Sequence, residues 1–364
     1  MKGESDPVAG MKVTIMGLGV NGGGLASALF FARRGARVTV TDLRPSSVLR
    51  ESMEKLAAFP VRYVLERHEE EDFATADIVV KNPAVAPSSP FLAAARARGV
   101  PIETDLSLFL ARCRTPLIAV TGSKGKSTTA SAIAHVLGRV FPGARLGGNI
   151  TVSPLSFLEE LGPKDPVVLE LSSWQLGDLR GRGLLRPDVS LFTVILPDHL
   201  DKYAGMEEYV ADKTVIFQEQ EPGQHAVFNA DDPWQKDFPS MTRARPLRDS
   251  ASPLSPGECG AWLKGDSGLA RLRPDGPVIE VLRDARLPGA HNRMNLLSAG
   301  LAAALYGVKP EVVRAGLAGF RGVEHRLEHF RTWNGIRFYN DSAATIPQAT
   351  VSALKALTGP VVLE

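Results

Sequence analysis

Gly122-Ser123-Lys124-Gly125-Lys126-Ser127-Thr128 gathers glycines, lysines and hydroxyls into one short run. Glycines let a backbone wrap close to an anion, and the first free amides of a following helix point at it. Lys126 adds a full positive charge, and the Ser127 or Thr128 hydroxyl can hold Mg²⁺. Such a run is a cradle for nucleotide phosphates, with ATP the expected ligand. The apolar stretch Pro116 to Thr121 before it reads as a strand, and Thr128 to Leu137 after it as a helix. An ordinary strand-to-helix turn that happens to contain Gly and Lys is the bland alternative. Strand, turn chemistry and helix start all agree, which favours the phosphate reading. Only Ser123 and Lys124 separate the two glycines, a tighter spacing than the G-x-x-x-x-G of the common P-loop, so most P-loop families are poor matches.

A second glycine cluster lies near the start. Gly17, Gly19 and Gly22 fit G-x-G-x-x-G, with Val20 and Asn21 inside the turn. A strand over Lys12 to Met16 precedes it, a helix over Gly24 to Arg34 follows, and a strand over Ala36 to Thr41 closes at Asp42. On spacing alone this is a dinucleotide-binding fingerprint with a ribose-binding acid, and a dehydrogenase is the first reading. Ala76 to Lys81 reads as a further strand, Asn82-Pro83 opens the loop at its end, and Pro90 to Arg98 reads as a helix.

These sites need α/β scaffolds. Val167 to Leu171 and Val189 to Ile195 are continuous apolar runs of strand length, the pattern of a buried parallel sheet. Glu170 and Asp198-His199 then fall at strand ends, the edge where open α/β sheets bind ligands. Short alternating runs from Gly260 to Leu287 suggest an antiparallel flap before a helix over Asn292 to Tyr306. Past Glu324, strands at Arg337 to Asn340 and Pro360 to Glu364 flank a helix over Pro347 to Leu357. That is fewer βα units than a parallel sheet needs, so this stretch is expected to be the front of a larger domain. The expected fold class is α/β, with a Rossmann-like N-terminal domain over 1–112. A central P-loop-type ATPase α/β domain with a small antiparallel flap follows over 113–323, and a third α/β domain begins over 324–364.

The 364 residues are too many for one ordinary core. A hydrophobic share of 44% with 23% charged residues belongs to a globular protein. A net charge of +2 without a Lys/Arg block argues against nucleic acid or a membrane surface as partner. Cys113 and Cys259 have no metal-ligand spacing, and Met1 to Gly10 lacks the apolar stretch of a signal peptide. A cytoplasmic monomer is expected.

Further motifs join the phosphate turn in a fixed order: Gly147-Gly148-Asn149-Ile150, Glu170-Leu171-Ser172-Ser173-Trp174-Gln175, Asp198-His199-Leu200-Asp201, Asn229-Ala230-Asp231-Asp232, His291-Asn292-Arg293-Met294-Asn295, His325-Arg326 and Asn340-Asp341-Ser342. In order and spacing they resemble the Mur ligase family, from Lys12 to the last residue. Glu170 to Leu176 and the glycine-rich N-terminal domain favour the branch that adds D-glutamate to UDP-N-acetylmuramoyl-L-alanine, over its sister ligases and over folylpolyglutamate synthase.

The resemblance implies that the γ-phosphate of ATP moves onto a substrate carboxylate and that the amine of D-glutamate attacks the acyl phosphate. Gly122, Ser123, Lys124, Gly125, Lys126, Ser127 and Thr128 would hold the ATP phosphates, with Lys126 on the β- and γ-phosphates. Ser127 or Thr128 with Glu170 would hold one Mg²⁺, and His199 would serve a second near the acceptor carboxylate, with Asn149 orienting the substrate. Lys213 falls where the family carries a carbamylated lysine, an anion able to approach Mg²⁺; a surface helix lysine is the bland alternative. Asn295 would read the adenine, and Arg326 and Asp341 would close over ribose and phosphates. Two residues depart from the family pattern: Lys124 replaces an Asn, and Ala343 stands where many members have Lys.

The N-terminal fingerprint is then reread. A diphosphate suits the same glycine turn as the pyrophosphate of NAD, so Gly19, Val20 and Asn21 would hold the diphosphate of the UDP substrate. Asp42, Leu43 and Arg44 would lie at the uracil, and Asn82 and Pro83 in the flanking loop. The dehydrogenase reading becomes a minor alternative, since it leaves the second unit unexplained. A binding-only protein that captures UDP-sugar and ATP without turnover is the other. With the third domain incomplete, the chain by itself is expected to bind the UDP substrate and to ligate poorly.

Overall fold

Residues 7–20, 22–150, 152–198, 203–344, 347–357 and 359–363 are described by the computed structural model. The chain divides into two compact units. One comprises Met1–Arg114, Gly147–Leu161 and Trp174–Leu184; the other comprises Thr115–Leu146, Gly162–Ser173 and Leu185–Glu364.

In the first unit strands and helices alternate: β1 (Lys12–Met16), α1 (Gly23–Ala32), β2 (Arg37–Asp42), α2 (Ser46–Leu56), β3 (Arg62–Leu65), α3 (Glu70–Ala74), β4 (Ile78–Lys81), α4 (Pro90–Ala97), β5 (Ile102–Glu103) and α5 (Asp105–Leu110). The strands pair in parallel in the order β3-β2-β1-β4-β5. Val13, Ile15, Val38, Val40, Val79 and Val80 are buried, as a sheet covered on both faces requires. The order reverses between β1 and β4, and ligands of such sheets bind at the carboxyl ends of the strands beside that reversal. Gly17 to Gly22 follows β1 and Asn82-Pro83 follows β4, so both expected ligand loops lie there. The three fingerprint glycines all have positive φ, yet the tightest approach of helix to strand is at Gly24. A Cβ on Gly24 would lie 2.1 Å from the Gly17 carbonyl oxygen and 2.5 Å from that of Leu18. Because both neighbours are backbone, Gly24→Ala is expected to cost about 3 kcal/mol, read as a lowered denaturant midpoint with an unchanged slope. An unchanged midpoint would refute this packing.

The second unit runs β6 (Leu117–Thr121), α6 (Lys126–Leu137), β7 (Arg145–Gly148), β8 (Val167–Glu170), α7 (Ser173–Gly177), β9 (Val189–Phe192), α8 (Met206–Gln218), β10 (His225–Asn229), β11 (Arg245–Ser250), β12 (Gly260–Lys264), β13 (Ser267–Arg271), β14 (Val278–Leu282), α9 (Ala290–Leu305) and α10 (Pro310–Gly319). Nine strands pair in the order β14-β13-β12-β11-β10-β9-β6-β8-β7, and β7 and α7 straddle the division between the units. The centre is parallel, and the apolar runs read as strands are β8 and β9, flanking β6. The expected antiparallel flap is β12 to β14; it continues the same sheet, since β12 pairs in parallel with β11 before β13 and β14 turn back. Helices α6, α9 and α10 bury Ile133, Leu296, Leu301 and Leu317 in the core on this sheet.

Past residue 324 the structure differs from the parallel start that was expected. β15 (Glu328–Trp333) and β16 (Ile336–Asn340) form an antiparallel two-stranded sheet, followed by α11 (Pro347–Ala356). Asn334 and Gly335 make the turn with φ of 48° and 79°, the pair of positive φ values that a two-residue hairpin turn needs. Residues 360–363, read as a strand, join no ladder: an extended segment becomes a strand only where a neighbour satisfies its amides and carbonyls.

Candidate active site

The phosphate turn joins β6 to α6, and its shape depends on glycine. Gly122 has φ of 141°, and a Cβ there would lie 1.9 Å from Thr193 Oγ1. Gly125 has φ of 88°, and a Cβ there would lie 2.3 Å from Asn295 Oδ1. Thr193 Oγ1 donates to the Lys124 carbonyl oxygen at 2.6 Å. The turn is thus braced by the end of β9 on one side and touched by α9 on the other. Helix α6 begins with the Lys126 and Ser127 amides, which have no partner one turn earlier in a helix and so face whatever occupies the turn.

Two lysines converge on one carbonyl. Lys126 Nζ donates to the Gly122 oxygen at 3.0 Å and to that of Ser123 at 2.9 Å, and Lys213 Nζ donates to the Gly122 oxygen at 2.8 Å. Lys213 is 1% exposed on α8, with its ammonium position 4.6 Å from the centre of the Tyr209 ring. Burial pushes Lys213 well below the usual lysine range, and the Lys126 charge pushes the same way, against Asp198, Asp212 and Glu170. Burial also lowers Lys126, opposed by Glu170, whose carboxylate is buried at the end of β8. So the lysine read as an ordinary surface residue under the bland alternative is a core residue whose charged form burial disfavours.

Ser123 closes this cluster to the segment leading to residue 198. Its amide donates to the Val194 oxygen at 2.6 Å, its hydroxyl accepts from the Leu196 amide at 2.9 Å, and it lies 2.9 Å from the Tyr209 hydroxyl. Burial pushes Tyr209 up to about 12, so it stays a neutral phenol. Lys124, one of the two residues that depart from the family pattern, pairs with Asp198 at 3.3 Å. Sequence reasoning missed Tyr209 and Thr193 as parts of the site, and placed Asp198 at the ligand edge without its partner Lys124. The spacing of Tyr209 to Lys213, one helical turn apart, was the available signal.

The remaining expected nucleotide residues follow. Arg326 is exposed, and its charge reaches Lys126. Asp341 accepts from the Leu327 amide at 2.8 Å, which fixes the hairpin base carrying Ala343. Thr128 is half-buried on α6, beside the buried Ser127. For Mg²⁺, Ser127 and Glu170 offer the hard oxygen donors that the ion prefers, with phosphates and water completing the shell, so the donor set fits. No group of three His, Cys, Asp or Glu that could hold a metal by itself occurs among the described residues. His199 and Asn21 lie outside the described residues.

In the first unit, Asp42 is buried at the end of β2 and accepts from the Gly19 amide at 3.0 Å and the Arg44 amide at 2.9 Å. Its carboxylate shapes the glycine turn. Leu43 and Val20 are exposed beside it, at 66% and 59%. Asn82 packs on the turn, its Cβ 3.1 Å from where a Cβ of Gly17 would be, and its Oδ1 accepts from the Ala84 amide, stiffening the loop with Pro83. Asn149 is exposed just after β7. No helix among the described residues is long and apolar enough to cross a membrane.

Comparison with known proteins agrees with this arrangement. Residues 11–104 match the N-terminal domain of MurD-like Mur ligases, and residues 120–303 match the Mur ligase middle domain. The UDP-N-acetylmuramoylalanine–D-glutamate ligase of Roseiflexus sp. (strain RS-1) is 41% identical over 98% of this chain and 78% of its own length. That of Treponema pallidum (strain Nichols) is 39% identical over 97% of this chain and 79% of its own length. Among solved structures, the UDP-N-acetylmuramate–alanine ligase MurC of Thermotoga maritima superposes with a TM-score of 0.61 at 22% identity, over 95% of this chain and 77% of that one, a likeness of fold. At these identities and coverages the chain belongs to the Mur ligase family, ATP-dependent amide-bond-forming ligases of peptidoglycan precursor synthesis, and within it to the UDP-N-acetylmuramoylalanine–D-glutamate ligases.

Proposed function

We propose that this enzyme joins D-glutamate to the terminal carboxyl of UDP-N-acetylmuramoyl-L-alanine. The carboxylate takes the γ-phosphate of ATP, ADP leaves, and the amine of D-glutamate displaces phosphate to form the amide. Convergence of Lys126, Lys213, Ser123 and the buried Glu170 on the Gly122–Gly125 turn carries the reading. Every step of this reaction handles concentrated negative charge, and positioned cations and amides are the main catalytic need.

Lys126 exchanges its two carbonyl partners for the β- and γ-phosphates, while the first amides of α6 hold the remaining phosphate oxygens. Thr193 and Asn295, which limit Gly122 and Gly125 to glycine, keep the turn open to this approach. Ser127 and Glu170 would hold Mg²⁺, which neutralises phosphate charge when bound; His199 and a carbamylated Lys213 are the proposed residues for a second ion. Asn295, Arg326 and Asp341 form the base and ribose side. Gly19, Val20, Asn21, Asp42, Leu43, Arg44, Asn82, Pro83 and Asn149 form the UDP-substrate side.

The reading divides the chain into a UDP-substrate domain (1–112), an ATPase domain (113–323) and a C-terminal ligase domain that begins at 324, in a cytoplasmic monomer. Its test is equilibrium binding of labelled UDP-N-acetylmuramoyl-L-alanine and of ATP, with phosphate release followed on adding D-glutamate. Binding of both is expected, with phosphate release that depends on D-glutamate but is slow, as the incomplete third domain requires. Binding of both with no phosphate released would replace this proposal with the binding-only reading, and failure of the UDP substrate to bind would remove it.

A further inference from the structure

One buried acid in the first unit is used by none of the chemistry above. Asp105 is the first residue of α5, fixed by a reciprocal cap in which the Ser107 amide donates to Thr104 Oγ1 at 3.0 Å and the Thr104 amide to Ser107 Oγ at 2.8 Å. Its side chain is 7% exposed. Ser153 Oγ donates to Oδ2 at 2.7 Å, and Oδ1 has no hydrogen-bond partner. That carboxyl lines a small recess with Gly17, Gly23, Gly24, Ser27, Lys81 and Asn82. Oδ2 sits 3.2 Å and Oδ1 3.9 Å from where a Cβ of Gly23 would be, which places the carboxyl against the first turn of α1.

The start of α1 is where the helix dipole and free amides draw a phosphate. A carboxylate there would be a fixed negative charge facing the diphosphate. We infer that Asp105 binds the substrate diphosphate as a neutral carboxylic acid, its Oδ1 hydroxyl donating to a phosphate oxygen at the start of α1. The inference rests on the UDP-substrate reading. Ser153 spends its hydrogen on Oδ2, which leaves Oδ1 as the oxygen to carry the proton, and a proton on Oδ1 needs the acceptor that a phosphate supplies. Burial pushes Asp105 up from the usual carboxylate range, against the pull of Ser153 and of the backbone amides of residues 105 and 106. The charged groups on the elements around it pair elsewhere: Lys81 with Asp178, Glu103 with Arg182, and Arg34 with Glu159. On binding, one proton passes from solvent to the carboxylate.

Calorimetric titration with UDP-N-acetylmuramoyl-L-alanine, in buffers of different ionisation enthalpy across pH 6.5 to 8.5, tests this. The phosphodiester oxygens of that ligand do not titrate in this range, so protons taken up enter the protein. At the alkaline end, uptake near one proton per ligand and an affinity falling about tenfold per pH unit are expected. Asp105→Asn, whose amide donates without titrating, should bind within about threefold of wild type at pH 6.5 with no uptake. Asp105→Ala should bind at least about tenfold more weakly at pH 6.5. Wild-type binding without proton uptake would overturn the inference, as would uptake that persists in Asp105→Asn, or an Asn variant as weak as Ala. If the Asn variant does not fold, the wild-type uptake alone decides. Absence of any binding would remove the UDP-substrate reading and this inference with it.

Discussion

Lys126→Ala is expected to lower kcat by about 10³-fold while leaving the affinity for UDP-N-acetylmuramoyl-L-alanine within about twofold of wild type. The amine already lies over the turn, where it donates to the Gly122 and Ser123 carbonyls. Those are weak acceptors beside a triphosphate, so the amine is pre-placed for exchange. Removing a single positioned donor from such a site costs about 3–4 kcal/mol of transition-state stabilisation. The proposed UDP side rests on the first unit's glycine turn, a different loop from the one that carries Lys126. Lys126→Arg should recover little, because a planar fork does not fit a cradle shaped for a point charge. A purely structural Lys126 would show instead as a lowered melting temperature with kcat intact. Equal loss of turnover and of UDP-substrate affinity would refute the division of labour between the turns.

Much of this site was legible because its chemistry is local. A turn of glycines and lysine between an apolar run and a helix is read within a span of about twenty residues, and the same holds for Gly17 to Asp42. The environment of Lys213 was not legible, since it comes from the Gly122 carbonyl at a separation of 91 residues. The bonding of Asp42 was hidden for a related reason: a strand-end acid reads as a ligand to ribose or uracil, and only the folded turn shows that it also accepts from the Gly19 and Arg44 amides. β5 is only Ile102–Glu103, too short for any period to show. β15 stayed hidden because most of both hairpin strands is exposed, so no alternation marks an inner face; only the Asn334-Gly335 turn announced it. Segments 147–161 and 174–184 belong to the first unit although the chain reaches them from the second, an assignment that periodicity cannot carry.

Lys213→Ala is expected to lose about 10²-fold or more in turnover and to recover part of it with a short-chain carboxylic acid. The prediction starts from burial: a lysine 1% exposed, facing an aromatic ring and a second lysine, loses the solvation that keeps an ammonium charged. A neutral amine has a free lone pair, and carbon dioxide adds to it with formation of an N–C bond and loss of one proton, leaving a carbamate. The side chain would thereby change from a latent cation to an anion carrying two oxygens, the donor type that suits Mg²⁺. Alanine vacates the space, and a small carboxylate diffusing in restores the negative oxygens without the tether. Lys213→Arg, always charged, should be inactive and immune to rescue, which separates a required anion from a required shape. Enzyme equilibrated with ¹³C-bicarbonate should show a carbamate carbon by NMR that is absent from Lys213→Ala. A Lys213→Ala enzyme as active as wild type would remove the residue from the mechanism. Loss of activity with no rescue and no carbamate signal would leave Lys213 as a buried prop for the Gly122 carbonyl.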